Sequence, residues 1–275
     1  MSNTIQQGWI AKLELRFSVN RSKTFLSKRQ HIGPLTIQRP FYPEGGLCHL
    51  YLLHPPGGVV GGDQLSIEVK TDSDSGALIT TPGATKIYRS NGDKCSTINQ
   101  NFTVASNSSL EWLPMETIIF PGARSKFSTK FSLSGNARVA AWEIHCLGRP
   151  AINESFSAGN LKFSFELWRD ETPILLDKLI IDKSELDNAT GLRGYPVFGT
   201  FIISNASKGV LDLVRTKMFE GDDCVYGATQ IEDIIIIRCL GRKTHLITDF
   251  FREVWQQIRP LVFEREASIP RIWAT

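Results

Sequence analysis

Apolar and polar residues alternate in short runs along most of the chain, and Gly, Pro and small polar residues separate the runs. The stretch from Leu161 to Trp168 is the clearest case: Leu161, Phe163, Phe165 and Leu167 share one face, while Lys162, Ser164 and Glu166 share the other. Strand side chains point to opposite faces in turn, so this pattern marks a strand with one buried side. The same reading places strands at residues 8–19, 35–38, 47–53, 65–70, 77–81, 87–89, 97–104, 110–113, 117–120, 126–133, 137–145 and 173–181. Residues 21–29 are basic and polar and are expected to form a surface turn. Between the strands, the block from Gly33 to Asp63 is the densest in proline and glycine, the residues that most constrain or free a backbone. A short echo, Pro82-Gly83-Ala84 and Pro121-Gly122-Ala123, hints at layered sheets whose corners stack.

After about residue 198 the period changes. A strand at 200–204 precedes Leu211, Val214 and Met218 at helical spacing, which predicts a helix over 209–219 capped by Ser207. Residues 224–229 and 231–239 form an expected hairpin. Thr248 is expected to cap a second helix carrying Phe250, Phe251, Val254, Trp255 and Ile258, with Pro260 near its end. The pattern therefore predicts a mainly β body over 1–198 and an α+β part over 199–275. No Ser/Gly-rich linker divides them, so the two should pack as one compact unit.

Charge and composition remove several function classes. The net charge is +3 and no Lys/Arg run exceeds two residues, so no basic footprint for nucleic acid exists. The five cysteines are odd in number and include no CxxC pair, which fits reduced thiols better than a disulfide framework. The N-terminal stretch lacks the apolar core and cleavage site of a signal peptide, and the longest aliphatic run, Ile234 to Ile237, is far too short to span a bilayer. A cytoplasmic protein without a membrane span is the expectation.

Catalytic motifs are equally scarce. The Gly57–Gly62 corner ends in Asp63 where a phosphate loop needs Lys, and an acidic side chain there would repel phosphate. No Gly-x-Ser-x-Gly elbow marks a nucleophile, and no HxxxH or HExxH marks a zinc helix. Cys48-His49 and His145-Cys146 are neighbours in strands, so each pair splits across two faces and cannot readily chelate one ion. His54 stands where a strand gives way to a loop, a common place for function. Three carboxylates interrupt apolar surroundings: Asp63 after the glycines, Glu143 in Ala-Ala-Trp-Glu-Ile, and Asp177 in Leu-Leu-Asp-Lys-Leu. Each is either the solvated face of a strand or part of a polar, hydrated passage through the β body that holds a divalent cation weakly.

The segments GPLTIQRPFYPEG, CHLYLLHPPGGVVGGD, LITTPGATKIYRS, LEWLPMETIIFPGA, WEIHCLGRP, GLRGYPVFGT and the terminal PRIWAT resemble, in order, those of the urease accessory protein family UreD, also called UreH. The resemblance implies a mainly β, stacked, β-helix-like architecture with two C-terminal helices. It implies a maturation factor, not an enzyme: a scaffold that docks on the urease apoprotein with the helical partner UreF and, through UreF, the GTPase UreG. Nickel in transit is then the cargo, and no cofactor is tightly bound. Carried onto this sequence, the resemblance makes Asp63, Glu143, Asp177 and His54 members of a transient nickel path, with Cys48 and His49 as further ligands along it. Lys86 and Arg89 become holders of those carboxylates or partner contacts. Phe41, Tyr42 and Trp273 become interface anchors, with core packing the alternative for at least one. Two rival readings remain, a β-rich binding module with another client and a hydrolase with a scattered triad.

Overall fold

The computed structural model of the chain describes residues 8–182, 186–218 and 221–274. In chain order the strands are β1 (Ile10–Asn20), β2 (Lys23–Ile32), β3 (Thr36–Ile37), β4 (Cys48–Leu53), β5 (Gln64–Thr71), β6 (Gly76–Thr80), β7 (Thr85–Ile87), β8 (Ser96–Val104), β9 (Ser109–Trp112), β10 (Thr117–Ile119), β11 (Ala123–Leu133), β12 (Arg138–Leu147), β13 (Gly159–Arg169), β14 (Thr172–Ile181) and β15 (Val197–Ile203). Helix α1 (Lys208–Thr216), the hairpin β16 (Cys224–Ile231) and β17 (Ile234–Gly241), and helix α2 (Thr244–Phe263) follow.

Two sheets result. The first runs β14-β13-β11-β8-β5-β1-β2, and the second runs β16-β17-β15-β12-β9-β6-β4-β3. From β4 to β13 the chain passes back and forth between the sheets. Each strand lands parallel to the one laid down a turn earlier, as in β5–β8, β8–β11 and β11–β13 of the first sheet and β6–β9 and β9–β12 of the second. Short β7 and β10 pair in parallel and join the second sheet as a branch, through β10 on the last residues of β12. Parallel strands need a long crossover, and here the opposite sheet supplies it. This is the stacked, mainly β solenoid with two late helices that the sequence predicts. Antiparallel additions close its ends: β2 on β1, β14 on β13, and β15–β17–β16 beyond β12.

Burial follows from the layers. The first sheet has one face inside, so β11 alternates along its whole length between buried positions and exposed or half-buried ones. Phe131 stacks on Phe102 at 4.4 Å and Phe127 on Phe163 at 4.7 Å, because the register sets each pair side by side. The second sheet is covered on both faces. Along β12, Val139, Ala141 and Leu147 face the other sheet, whereas Ala140, Trp142, Ile144 and Cys146 pack beneath the helical layer with Phe251, Trp255 and Ile258. A strand buried on both sides loses its alternation and becomes a continuous apolar run.

Three local expectations are corrected. Only Arg21 and Ser22 turn the chain, with φ of 47° and 68°, and the rest of the expected surface turn is β2. That strand lies at a sheet edge and is exposed over nearly all of its length, so it needs no apolar alternation. Helix α2 begins at Thr244 after Lys243, and Thr248 sits inside it, its hydroxyl donating to the Thr244 carbonyl. Pro260 lies near the end of the helix, as expected, within its last turn, which the buried Val262 and Phe263 hold in place. Third, the Pro-Gly-Ala echo does not stack: Thr85 pairs with Thr117, so the first copy precedes β7 whereas the second follows β10. The expected end of α1 at Phe219 lies outside the described residues.

Candidate functional site

Two rows of residues face each other across the inter-sheet layer. On the first sheet, register places Gln100, Thr129, Phe165 and Asp177 side by side on β8, β11, β13 and β14. On the second, Glu143, Thr200 and Arg238 are aligned on β12, β15 and β17. Residues directly opposite in a ladder share a face, so each row is one line of side chains. The lines meet at two points. The Thr129 hydroxyl donates to the Glu143 carboxylate, and Arg238 Nη2 donates to Asp177 Oδ2 at 2.7 Å.

Between those two points lies a cavity of about 270 Å³ lined by Glu143, Asp177, Arg238, His145 and the rings of Phe163 and Phe198. His145 is two residues from Glu143 on the same face of β12, and its Nε2 is 3.6 Å from Glu143 Oε2. Phe127, Phe163 and Phe198 surround the imidazole at ring-centre distances of 5.4, 4.7 and 4.9 Å. The His145 Nδ1 is buried and, among the described residues, has no hydrogen-bond partner. The chamber thus combines carboxylates, an imidazole and a guanidinium inside an aromatic wall. Among the described residues, no three His, Cys, Asp or Glu side chains converge to hold a metal. Such a donor set can delay a divalent cation but lacks the ligands to cage one.

Asp63 and His54 lie elsewhere. The Asp63 carboxylate is buried and accepts the backbone N–H of Trp9 at 2.8 Å and of Val60 at 2.9 Å. It thereby closes the corner that Gly62 makes possible with φ of 99°. His54 follows β4. Burial pushes its imidazole pKa down, and the Asp63 charge draws it partly back. The four residues of the expected path are therefore two pairs, one at the first corner and one in the chamber.

The supporting residues divide as well. Lys86 and Arg89 are exposed, and among the described residues neither forms an ion pair with those carboxylates. The stem of Arg89 covers Gly122, where an added Cβ would meet its Cγ at 2.9 Å. Phe41 and Tyr42 are half-buried: Phe41 sets its edge on Tyr51 at 4.8 Å, and the Lys23 ammonium lies 3.9 Å over the Tyr42 ring. Trp273 is buried beside Trp142 and Trp255, and its indole N–H donates to Thr80 Oγ1, which makes it a core residue. Cys48 faces the inter-sheet core, where burial pushes its thiol up to about 11. His49 points to the helical side and meets Glu44 at 2.6 Å, so Cys48 and His49 do not share a ligand point.

A polar network that the motif reading missed lies under α2. Arg259, Glu111 and His49 are wholly buried. Arg259 grips Glu111 through Nε and Nη2, both at 3.0 Å, and reaches Glu44 through Nη1 at 2.7 Å and Nη2 at 2.9 Å. The Trp255 indole N–H also donates to Glu111, at 2.6 Å. Burial raises the Glu44 carboxyl, but hydrogen bonds from His49 and Arg259 outweigh it and hold the group below its usual range. Glu111 interrupts Leu110-Trp112-Leu113 just as Glu143 interrupts its own apolar run, and that was the available signal.

A second concavity, a groove of about 1240 Å³, runs between the start of α2 and residues 149–155. It presents Ile152, which is exposed, together with Arg149, Glu154, Lys243 and Asp249.

Known proteins match this chain along its whole length. The family model described as UreD urease accessory protein matches residues 10–274. A protein of Citrobacter koseri named urease accessory protein UreD is 44% identical over 272 residues, covering 99% of this chain and 94% of its own. Proteins of the same name from an Enterobacter species and from Klebsiella aerogenes are 45% and 41% identical, and each comparison covers 98% of this chain and 96% and 98% of the relative.

Proposed function

The chain belongs to the UreD family of urease accessory proteins, and on that premise we propose that it is a maturation scaffold that docks on apo-urease with UreF, and through UreF with UreG, and conducts nickel toward the urease active site. The observation that carries the transit reading is Glu143, a carboxylate set between two sheets and held by a hydroxyl of the opposite sheet inside a polar chamber. An apolar filling would be the cheaper way to pack such a layer. Carboxylate and imidazole donors that do not close around an ion suit passage, since a cargo must be released as readily as it is taken up. Docking is supported by the groove beside α2, which mixes an exposed aliphatic side chain with charges of both signs, as partner surfaces do. Lys86, Arg89, Phe41 and Tyr42 are further proposed contacts. The work takes place in the cytoplasm; among the described residues no helix is long and apolar enough to cross a membrane.

The deciding experiment measures urease activity in nickel-fed cells that carry the urease subunits and the other accessory proteins, with and without this chain. Activity should depend on the chain, and Glu143→Gln should lower it at least tenfold while leaving the protein folded. Equal activity without the chain would remove the maturation role. Full activity with Glu143→Gln would remove the chamber from the path.

A further inference from the structure

We propose that Arg238 is a resident cation that holds the mouth of the inter-sheet chamber, and that a divalent ion displacing it from Asp177 is received by Glu143 and His145. The proposal deepens the transit reading above and rests on it for its biological meaning. Arg238 comes from β17 and Asp177 from β14, so their 2.7 Å ion pair joins the two sheets across the cavity. Their side chains are 54% and 37% exposed. Ion pairs in water are weak, and an arriving doubly charged ion competes well for the carboxylate. Further in, Glu143 and His145 are only 16% and 7% exposed, so the ion meets a drier environment where each donor counts for more.

The inner pair is built to receive. Thr129 holds one oxygen of Glu143, and the other faces His145 Nε2 at 3.6 Å, too far for a hydrogen bond. The two donors are thus near each other without being committed to each other. The buried Nδ1 of the same ring is also unpartnered among the described residues. Three phenylalanine rings fix the imidazole, so its place in the chamber does not depend on hydrogen bonds. An imidazole beside a carboxylate favours a borderline transition ion such as nickel over magnesium, which prefers oxygen alone. His145 is in this reading the selective donor, and Arg238 sets how easily the donor is reached.

Titration of the purified full-length chain with nickel chloride alone, and with magnesium chloride alone, tests this. Arg238→Gln should bind nickel about tenfold more tightly than the wild type, because one competing unit charge is gone. Adding His145→Gln should abolish that gain for nickel and leave magnesium binding unchanged. In the wild-type chain, saturating nickel should broaden the His145 ring resonances, a readout that needs no variant to fold. Unchanged nickel affinity in Arg238→Gln, a gain that survives His145→Gln, or unbroadened His145 resonances would each overturn the proposal. The transit reading is judged separately in nickel-fed cells. If the ion binds as described and activation ignores both variants, the site stands and transit falls; if activation needs Glu143 but nickel leaves His145 untouched, the reverse holds.

Discussion

Arg259 and Glu111 stand 148 positions apart in the chain and form a two-pronged ion pair with no exposure of either side chain, Nε and Nη2 each lying 3.0 Å from a carboxylate oxygen. Glu44 takes a further donor from Nη2 and lies 2.7 Å from Nη1, which also donates to the Glu266 carbonyl, so one cation from α2 serves two anions, one on β9 and one in the loop before β4. Removing one member of such a group leaves an uncompensated buried charge, which costs about 3–5 kcal/mol. Arg259→Leu should therefore lower the melting temperature by roughly 10 °C, given about 2–4 °C per kcal/mol for a chain of this size. Thermal unfolding followed by circular dichroism checks this, and a change under 2 °C would show that the network has slack.

The same network makes stability depend on acid. The Glu44 carboxyl lies below its ordinary value near 4.5 in the folded protein. Above that value the group is ionised in both states, and its full contribution is present. As pH falls through 4.5, the unfolded chain takes up the proton first, and the contribution is lost as pH drops through the lower folded value. Urea unfolding from pH 6 to pH 3 should show this decline. Glu44→Gln should be less stable at pH 6 and show a shallower decline below pH 4.5. Parallel slopes for the two proteins would remove Glu44 from the acid response.

How much of this was legible depended on which layer a residue occupies. The alternation of Leu161, Phe163, Phe165 and Leu167 could be read because the first sheet has one buried face. The edge strand β2 could not, since it buries little on either side. The start of α2 was invisible because Lys243 precedes it without any side-chain cap, whereas Thr248 carries the residue type of a cap inside the helix. Glu143 and Asp177 each stood out as a carboxylate in an apolar run, but their convergence needs the register of β11, β13 and β14 against β12, which no local spacing encodes. Arg238 gave still less sign, since its role follows from lying in line with Glu143 two strands away.

Asp63 needs a structural control before any role in metal passage is assigned to it. Its carboxylate accepts two backbone N–H groups and ties β1 to the first corner of the solenoid. Hydrogen bonds to a charged acceptor contribute about 1.5–3 kcal/mol each, and part of that returns when water enters. Asp63→Ala should cost about 2–3 kcal/mol and shift the melting temperature by roughly 5–10 °C. If the variant melts like the wild type yet fails to support urease activation, Asp63 acts on the ion or on a partner. If lower stability and lost activation appear together, the corner accounts for both.

The outer strand β14 predicts how the isolated chain behaves in solution. It ends the first sheet, so among the described residues one row of its backbone groups has no strand beside it. Leu176 and Ile180 stand on the same side of that strand and are 58% and 55% exposed. An apolar edge of this kind pairs readily with another chain, and proteins commonly protect such edges with lysine. Lys178, between the two, is the one lysine of β14, and Lys162 on β13 stands opposite Ile180. Leu176→Lys combined with Ile180→Lys should raise the soluble fraction of chain expressed alone several-fold and leave the melting temperature within about 2 °C, as expected for exposed positions. Ultracentrifugation of lysates and of purified protein measures both quantities. A soluble fraction that does not change would mean that association runs through another surface, with the groove beside α2 the next to substitute.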